Sequence, residues 1–282
     1  MCRLLVYAGE PMLLHDLLYG PEHSIVKQAS AAHDEEDRVN ADGFGVAWYA
    51  PEVSPLPGVM RSVRPIWSHA SLRSVCQLVR SGLVFAHVRA ASEGLEVTET
   101  NCHPFCAAGF LWMHNGTVGS HARFRDWARR FLSPAVAAHV RGTTDSEHLF
   151  GLFLELWGEA SGADPTGRIV TVLSRTIKFL EDFERESGVR EPTTLNIAVT
   201  DGRSVVAVRH ALRHAKPPLS LFHAEGVRPC RTPRGLSFVR APEAGGSLIA
   251  SEPLTPDGIW QEAPAGSLLV LGPERRVEHV PL

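Results

Sequence analysis

Four places in this sequence carry residue types that could do chemistry together: Cys2, Arg89, Asn115 with Gly116, and Asp145. Each stands where an apolar run meets polar residues, in MCRLL, HVRAAS, HNG and TTDSE. Each also has an ordinary structural reading. A cysteine at position two can be inert packing, and an arginine after a strand can be a surface charge. Asn-Gly is a common hairpin turn, and TDSE suits a helix N-cap with acids in its first turn. As a set, however, they complement one ligand, a γ-glutamyl amide. Its α-carboxylate matches the planar fork of Arg89, and its α-ammonium matches Asp145. Its distal carbonyl is open to attack by Cys2. The Asn115 amide and the Gly116 N–H would then donate to the developing oxyanion, with glycine allowing close approach of the backbone.

Position two adds a further possibility. A small side chain there lets methionine aminopeptidase remove Met1, leaving Cys2 with a free α-amine. That amine titrates at roughly 7.7–8.0, so it would serve as the base that takes the thiol proton and returns it to the leaving amine. While Met1 remains, the same nitrogen is an amide and holds no basic lone pair.

These residues must be positioned by the elements around them. Apolar runs predict strands at 3–9, 43–50, 83–92 and 107–116, with a helix at 12–20, a polar loop at 33–43 and a Pro-rich turn region at 51–58. Amphipathic spacing predicts helices at 123–132, 145–160 and 168–186, the second capped by Thr144 or Asp145. A hairpin over 194–211 turns at Asp201-Gly202, and strands follow at 235–241, 246–251 and within 266–282, the last as a terminal hairpin. Strands, then helices, then strands predict an α+β fold of two antiparallel sheets with helices packed outside. Residues 213–219 are the weakest candidate boundary, so residues 2–282 are expected to form one domain, with the chemistry in 2–160 and 190–282 completing the sheets.

Composition narrows the function classes. Of 282 residues, 28 are Lys or Arg and 31 are Asp or Glu, a net charge of −3 that gives no reason to expect a nucleic-acid partner. Cys2, Cys76, Cys102, Cys106 and Cys230 are odd in number and scattered, as in reduced cytosolic proteins. Glu10, Pro11, His15 and Asp16 interrupt the apolar N-terminus, which therefore reads as neither signal peptide nor membrane span. The expectation is a soluble, cytoplasmic protein without a membrane partner. Cys102-His103 and Cys106 lack a second ligand pair at zinc-like spacing, HDEED reads as a solvated loop, and Trp112 and Trp157 read as core aromatics. No P-loop is present, and DGFG lacks a dinucleotide-binding context. Neither a metal nor another cofactor is expected.

The ordered motifs MCRLL, NADGFGVAWY, HVRAAS, NCHPF, HNGTVG and TTDSE resemble those of class II glutamine amidotransferase domains, clearly over residues 2–160 and weakly beyond. Those domains are N-terminal-nucleophile hydrolases with a four-layer αββα fold. The resemblance implies Cys2 as nucleophile, Asn115 and Gly116 as oxyanion hole, Arg89 on the substrate carboxylate and Asp145 on its ammonium. It places Ser92 near the carboxylate and His103 in a supporting position. Two positions depart from the amidotransferase domain of glucosamine-6-phosphate synthase, which has Trp and His where this chain has Ala90 and Glu93. No ammonia-accepting domain follows, so the chain resembles the standalone members of the superfamily, the γ-glutamyl hydrolases of ergothioneine biosynthesis and the amidotransferase-like subunit of glutathione degradation. The expected reaction is hydrolysis of a γ-glutamyl amide through a thioester on Cys2, with a small-molecule substrate. A glutaminase feeding ammonia to a partner synthase and a catalytically silent γ-glutamyl-binding subunit are the alternatives. A homo-oligomer is equally open.

Overall fold

The computed structural model describes residues 2–30, 39–92, 94–212, 217–242 and 245–282. Among these the chain runs through β1 (Arg3–Leu13), α1 (Leu14–Tyr19), α2 (Ile25–Ser30), β2 (Phe44–Ala50), β3 (Ser54–Ser62), α3 (Ala70–Cys76) and β4 (Arg80–Val88). It continues through β5 (Phe105–Ala107), β6 (Phe110–Thr117), α4 (His121–Ala128), α5 (Pro134–Ala137), α6 (Asp145–Glu159), α7 (Pro165–Ser187), β7 (Thr193–Thr200) and β8 (Val205–Leu212). It ends with β9 (Phe222–Thr232), β10 (Gly235–Arg240), β11 (Gly246–Ala250), β12 (Gln261–Glu262), β13 (Ser267–Leu271) and β14 (Val277–Pro281).

The strands form two antiparallel sheets. One is ordered β10-β9-β11-β1-β4-β2-β3, with β12 joined to β9, and the other β14-β13-β8-β7-β6-β5. Side chains alternate across a strand, and β1 shows the result. Leu4 and Val6 face the second sheet and pack with Phe85, Leu111, Met113, Ala207 and Leu269. Leu5 and Tyr7 face outward onto Leu14, Leu17 and Ile25 of α1 and α2. On the far side, Trp112, Ile197 and Val208 of the second sheet pack against Phe150, Phe153, Ile177 and Phe183 of α6 and α7. Three apolar layers therefore separate four layers of structure, αββα. Helix α7 illustrates why the outer layer forms. Asp164 caps it by accepting from Thr166 and Gly167 N–H, Pro165 opens it and Gly188 closes it at φ 63°. Its buried residues fall at 169, 172, 173, 176, 177, 180, 183 and 184, the spacing of one helical face.

The predicted sheets, the hairpin 194–211 and the three helices are present, with shifted ends. Other expectations are corrected. Of residues 51–58, expected as a turn region, 54–58 belong instead to β3; it lies at the edge of its sheet, where Pro55 and Pro57 cost no ladder bond. The run 107–116 is not one strand but part of a tight hairpin of β5 and β6, turned by Ala108 and Gly109 at φ 51° and 83°. The first strand extends to Leu13, leaving only Leu14–Tyr19 helical. Strand β9 and helices α2 and α3 were not predicted. Residues 33–38 of the polar loop, 213–216 of the candidate boundary and Glu93 lie outside the described residues.

Candidate functional site

Strands β1 and β4 pair with Arg3 opposite Val88, so the residue before β1 meets the residues after β4. Cys2 thus sits against Ala90. The Ala90 N–H donates to Cys2 Sγ at 3.3 Å, and the thiol donates to the Ala90 carbonyl at 3.4 Å. Burial pushes the thiol pKa up, while the Ala90 N–H and the Arg89 and Arg3 guanidiniums pull against that rise. A thiol in this setting needs a base to become a thiolate.

Arg89 is 3% exposed. Its backbone is clipped to the preceding loop: Arg89 N–H donates to Gly43 O at 2.8 Å, and Asp42 N–H donates to Arg89 O at 3.0 Å. The Asp42 carboxylate also accepts from Ala91 N–H at 2.8 Å. Gly43 takes φ 119°, and a Cβ there would meet Cys102 Sγ at 2.7 Å, so glycine is required where the loop crosses. The Arg89 Nη2 donates to Glu96 O at 3.2 Å, but the buried Nη1 has no partner among the described residues. Half of a buried guanidinium fork is left unpaired, a costly state that an anion would relieve.

Asn115 and Gly116 lie within β6, opposite Asn196 and Leu195 of β7, which excludes the hairpin-turn reading of this pair. Asn115 faces the space between the sheets, where its Nδ2 donates to Ser251 Oγ at 3.3 Å. A Cβ on Gly116 would fall 2.0 Å from Thr194 O and 2.5 Å from His114 Nε2. Only glycine lets β6 and β7 close at that point.

Asp145 opens α6, with Thr144 as its N-cap; the Thr144 hydroxyl accepts from Glu147 N–H at 3.2 Å. The capping reading of TDSE is therefore correct, and it coexists with a placed carboxylate. Asp145 Oδ2 accepts from Val118 N–H at 2.8 Å, just past β6, and Oδ1 from Ser146 N–H at 2.8 Å. Each oxygen keeps acceptor capacity for a further donor. Beneath it, His114 is fully buried and burial lowers its pKa, so the ring is neutral. Its Nε2 lies 3.2 Å from the Thr194 carbonyl and its Nδ1 2.9 Å from Ser146 Oγ. A carbonyl can only accept, which assigns the hydrogen to Nε2 and makes Nδ1 an acceptor from Ser146.

The two remaining predicted residues are placed differently. His103 is buried against His87 and Phe105, each ring centroid 4.4 Å away, and burial holds its pKa well below the usual histidine value. It forms the packed layer near Arg89. Ser92 is exposed and its carbonyl accepts from Leu95 N–H; among the described residues its hydroxyl makes no hydrogen bond into the cluster. Trp112 is a core aromatic as expected, and Trp157 packs on Phe110, Phe153 and the Arg168 guanidinium. Among the described residues no three His, Cys, Asp or Glu side chains are arranged to hold a metal ion. No helix there is long and apolar enough to cross a membrane.

Sequence reasoning missed Ser251, Glu252 and Ser220. Ser251 is 2% exposed and contacts both Leu4 and Asn115, and Glu252 pairs with Arg3. Polar residues closing an apolar strand, GSLIASE, were the available signal. A cavity of about 670 Å³ opens past Gly116, with Thr117, Val118, Thr194 and Leu219 among its walls.

The family model for class II glutamine amidotransferases matches residues 24–278. The chain is 33% identical to the probable glutamine amidotransferase DUG3 of Saccharomyces cerevisiae, over 99% of this chain and 84% of that protein. It is 27% identical to the gamma-glutamyl-hercynylcysteine sulfoxide hydrolase of Mycolicibacterium smegmatis, over 94% of this chain and 92% of that protein. A solved glutamine aminotransferase class-II domain protein from Silicibacter pomeroyi superposes with a TM-score of 0.66 at 29% identity, covering 100% of this chain and 99% of that one. The glutamine phosphoribosylpyrophosphate amidotransferase of B. subtilis shares the fold, with a TM-score of 0.58 at 12% identity over 99% of this chain and 49% of that one.

Proposed function

Because the chain belongs to the class II glutamine amidotransferases, we propose that it hydrolyses a γ-glutamyl amide through a γ-glutamyl thioester on Cys2. The observation that carries this reading is the buried Arg89, whose Nη1 has no partner among the described residues, next in sequence to Ala90, which holds the Cys2 thiol. An α-carboxylate completes that fork in a bidentate, charge-assisted pair. Asp145 then receives the substrate ammonium, and the γ-carbonyl falls between Cys2 and Asn115.

The chemistry follows from those placements. With Met1 removed, the Cys2 α-amine takes the thiol proton, and the thiolate attacks the γ-carbonyl carbon. Asn115 Nδ2 and Gly116 N–H donate to the oxyanion. Collapse breaks the C–N bond, and the leaving amine takes the proton held by the α-ammonium. A water molecule, deprotonated by the same amine, attacks the thioester, and glutamate leaves as the thiol is restored. Ala90, small and held by both its backbone polar groups to Cys2, does not crowd the leaving side. Relatives that include a γ-glutamyl-hercynylcysteine sulfoxide hydrolase support a thiol-derived amine as the leaving group. The five unpaired cysteines suit a reducing compartment such as the cytoplasm.

The test is glutamate release by purified protein from glutamine and from γ-glutamylcysteine derivatives, with intact mass before and after a glutamine-like diazoketone. The expected result is preferred hydrolysis of the larger amide, a mass lacking Met1 and one adduct on Cys2. Release from glutamine alone would shift the reading to an ammonia-delivering glutaminase. A folded, unlabelled protein without turnover would leave only a γ-glutamyl-binding role.

A further inference from the structure

The search for unassigned features leads back to the end of β11, where the chain turns out of the first sheet. We infer that Ser251 is a positioning residue that locks the oxyanion donor Asn115 to the strand carrying Cys2. The inference rests on the functional reading above, because it gives Asn115 that role.

The geometry at this point is not an ordinary continuation of the ladder. β11 pairs with β1 through Leu5 and Ala250, and one step further Ser251 N–H donates to Leu4 O at 3.0 Å. The reciprocal bond would normally run from Leu4 N–H to a main-chain carbonyl. Instead Leu4 N–H donates to Ser251 Oγ at 3.0 Å, while the Ser251 carbonyl turns away to accept from Ser220 Oγ at 2.9 Å. Ser251 Oγ also accepts from Asn115 Nδ2 at 3.3 Å, across the gap between the sheets. One buried oxygen thus joins the residue two places after the nucleophile to the proposed oxyanion donor. An Asn amide has two N–H groups. Fixing one on Ser251 restricts the orientation of the amide and leaves the other for the oxyanion. Next in sequence, Glu252 pairs with Arg3, whose Nη1 donates to Cys2 O at 3.2 Å. Ser251 and Glu252 therefore hold Asn115 and the Cys2 end of β1 together.

This predicts a loss specific to turnover. Ser251→Ala should lower kcat by about tenfold or more, less than outright loss of an oxyanion donor, with KM for the γ-glutamyl substrate within about twofold. In an Asn115→Ala background, Ser251→Ala should cost almost nothing further, since its effect runs through Asn115. Alkylation of Cys2 by iodoacetamide, which needs no oxyanion hole, should proceed at the unaltered rate. Ser251→Cys fills the same space with a weaker acceptor and reads the same coupling if the alanine variant does not fold. An unchanged kcat, or equal losses in the two backgrounds, overturns the inference while an active unaltered protein leaves the functional reading standing. Unaltered protein that neither releases glutamate nor takes the diazoketone label overturns both.

Discussion

At the scale of single residues, the site is a set of half-made interactions around one sulfur. The open half of the Arg89 fork gives the sharpest expectation. A charge-assisted bidentate pair contributes on the order of 3 kcal/mol. Arg89→Ala should therefore raise KM for a γ-glutamyl amide by about a hundredfold, and Arg89→Lys should recover little of it, because an ammonium cannot present the planar fork. Steady-state kinetics with both variants checks this; a lysine variant with native KM would contradict the assignment. The base gives a second expectation. An α-ammonium accepts no proton, so kcat/KM should fall as pH drops below roughly 8 and level off above it. Inserting Lys between Met1 and Cys2, which blocks aminopeptidase, should abolish turnover without changing the melting temperature. Cys2, Arg89, Asn115, Gly116 and Asp145 were legible as candidates in the sequence because each chemical type answers a distinct demand of a γ-glutamyl substrate. Ser251 was not, since a serine closing a strand has no chemistry until Leu4 and Asn115 are brought to it from 247 and 136 positions away.

At the scale of elements, what matters is that each candidate site residue is held in or beside the end of something rigid. Cys2 precedes β1, Arg89 follows β4, Asn115 lies in β6 two residues before its end, and Asp145 opens α6. The sequence showed these elements where periodicity ran undisturbed, as in α6, α7 and the β7–β8 hairpin. It hid them where local chemistry argued the other way. Pro55 and Pro57 obscured β3, which tolerates them only as an edge, and Gly226 with Pro229 obscured the eleven-residue β9. The β5–β6 turn lacks an Asn-Gly signal; the one such pair nearby lies inside β6 instead. That displacement makes a prediction. Gly116→Ala drives a methyl into the Thr194 carbonyl, so it should destabilise the protein by about 1–3 kcal/mol. It should also lower activity further than stability explains, since the Gly116 N–H moves with it. Urea unfolding and kinetics on the same sample separate the two effects.

At the scale of the whole molecule, burial of neutral histidines ties stability to pH. Burial lowers His87 to about 3, and lowers His103 and His114 from the ordinary value near 6.5. A folded-state pKa below that of the unfolded chain means the unfolded chain binds the extra protons. Stability is therefore complete above about pH 6.5 and is lost as pH falls toward the folded values, by about 1.4 kcal/mol per pH unit for each such proton. Urea midpoints at pH 7, 6 and 5 should fall steadily, above the range where carboxylates titrate, and His87→Phe should shrink the slope. A flat profile would contradict the burial of these rings in neutral form. The fold class was legible at this scale from the order of strands and helices. The pairing of β1 with β11 was not, because apolar strands of similar composition offer no address for a partner so distant in sequence.

That same pairing bears on how the protein is made. β1 lies between β4 and β11, and residues 246–250 leave the ribosome long after residue 2. At ordinary synthesis rates of 5–20 residues per second the interval is roughly 12–50 s. Throughout it the amino terminus belongs to an unfinished nascent chain with neither Ser251 nor Glu252 to hold it. On the proposed mechanism, removal of Met1 falls within that window, before the pocket around the thiol is assembled. On that reading, maturation and activation are ordered in time by the position of one strand, the first part of the proposed active centre to be synthesised and among the last to be locked in place.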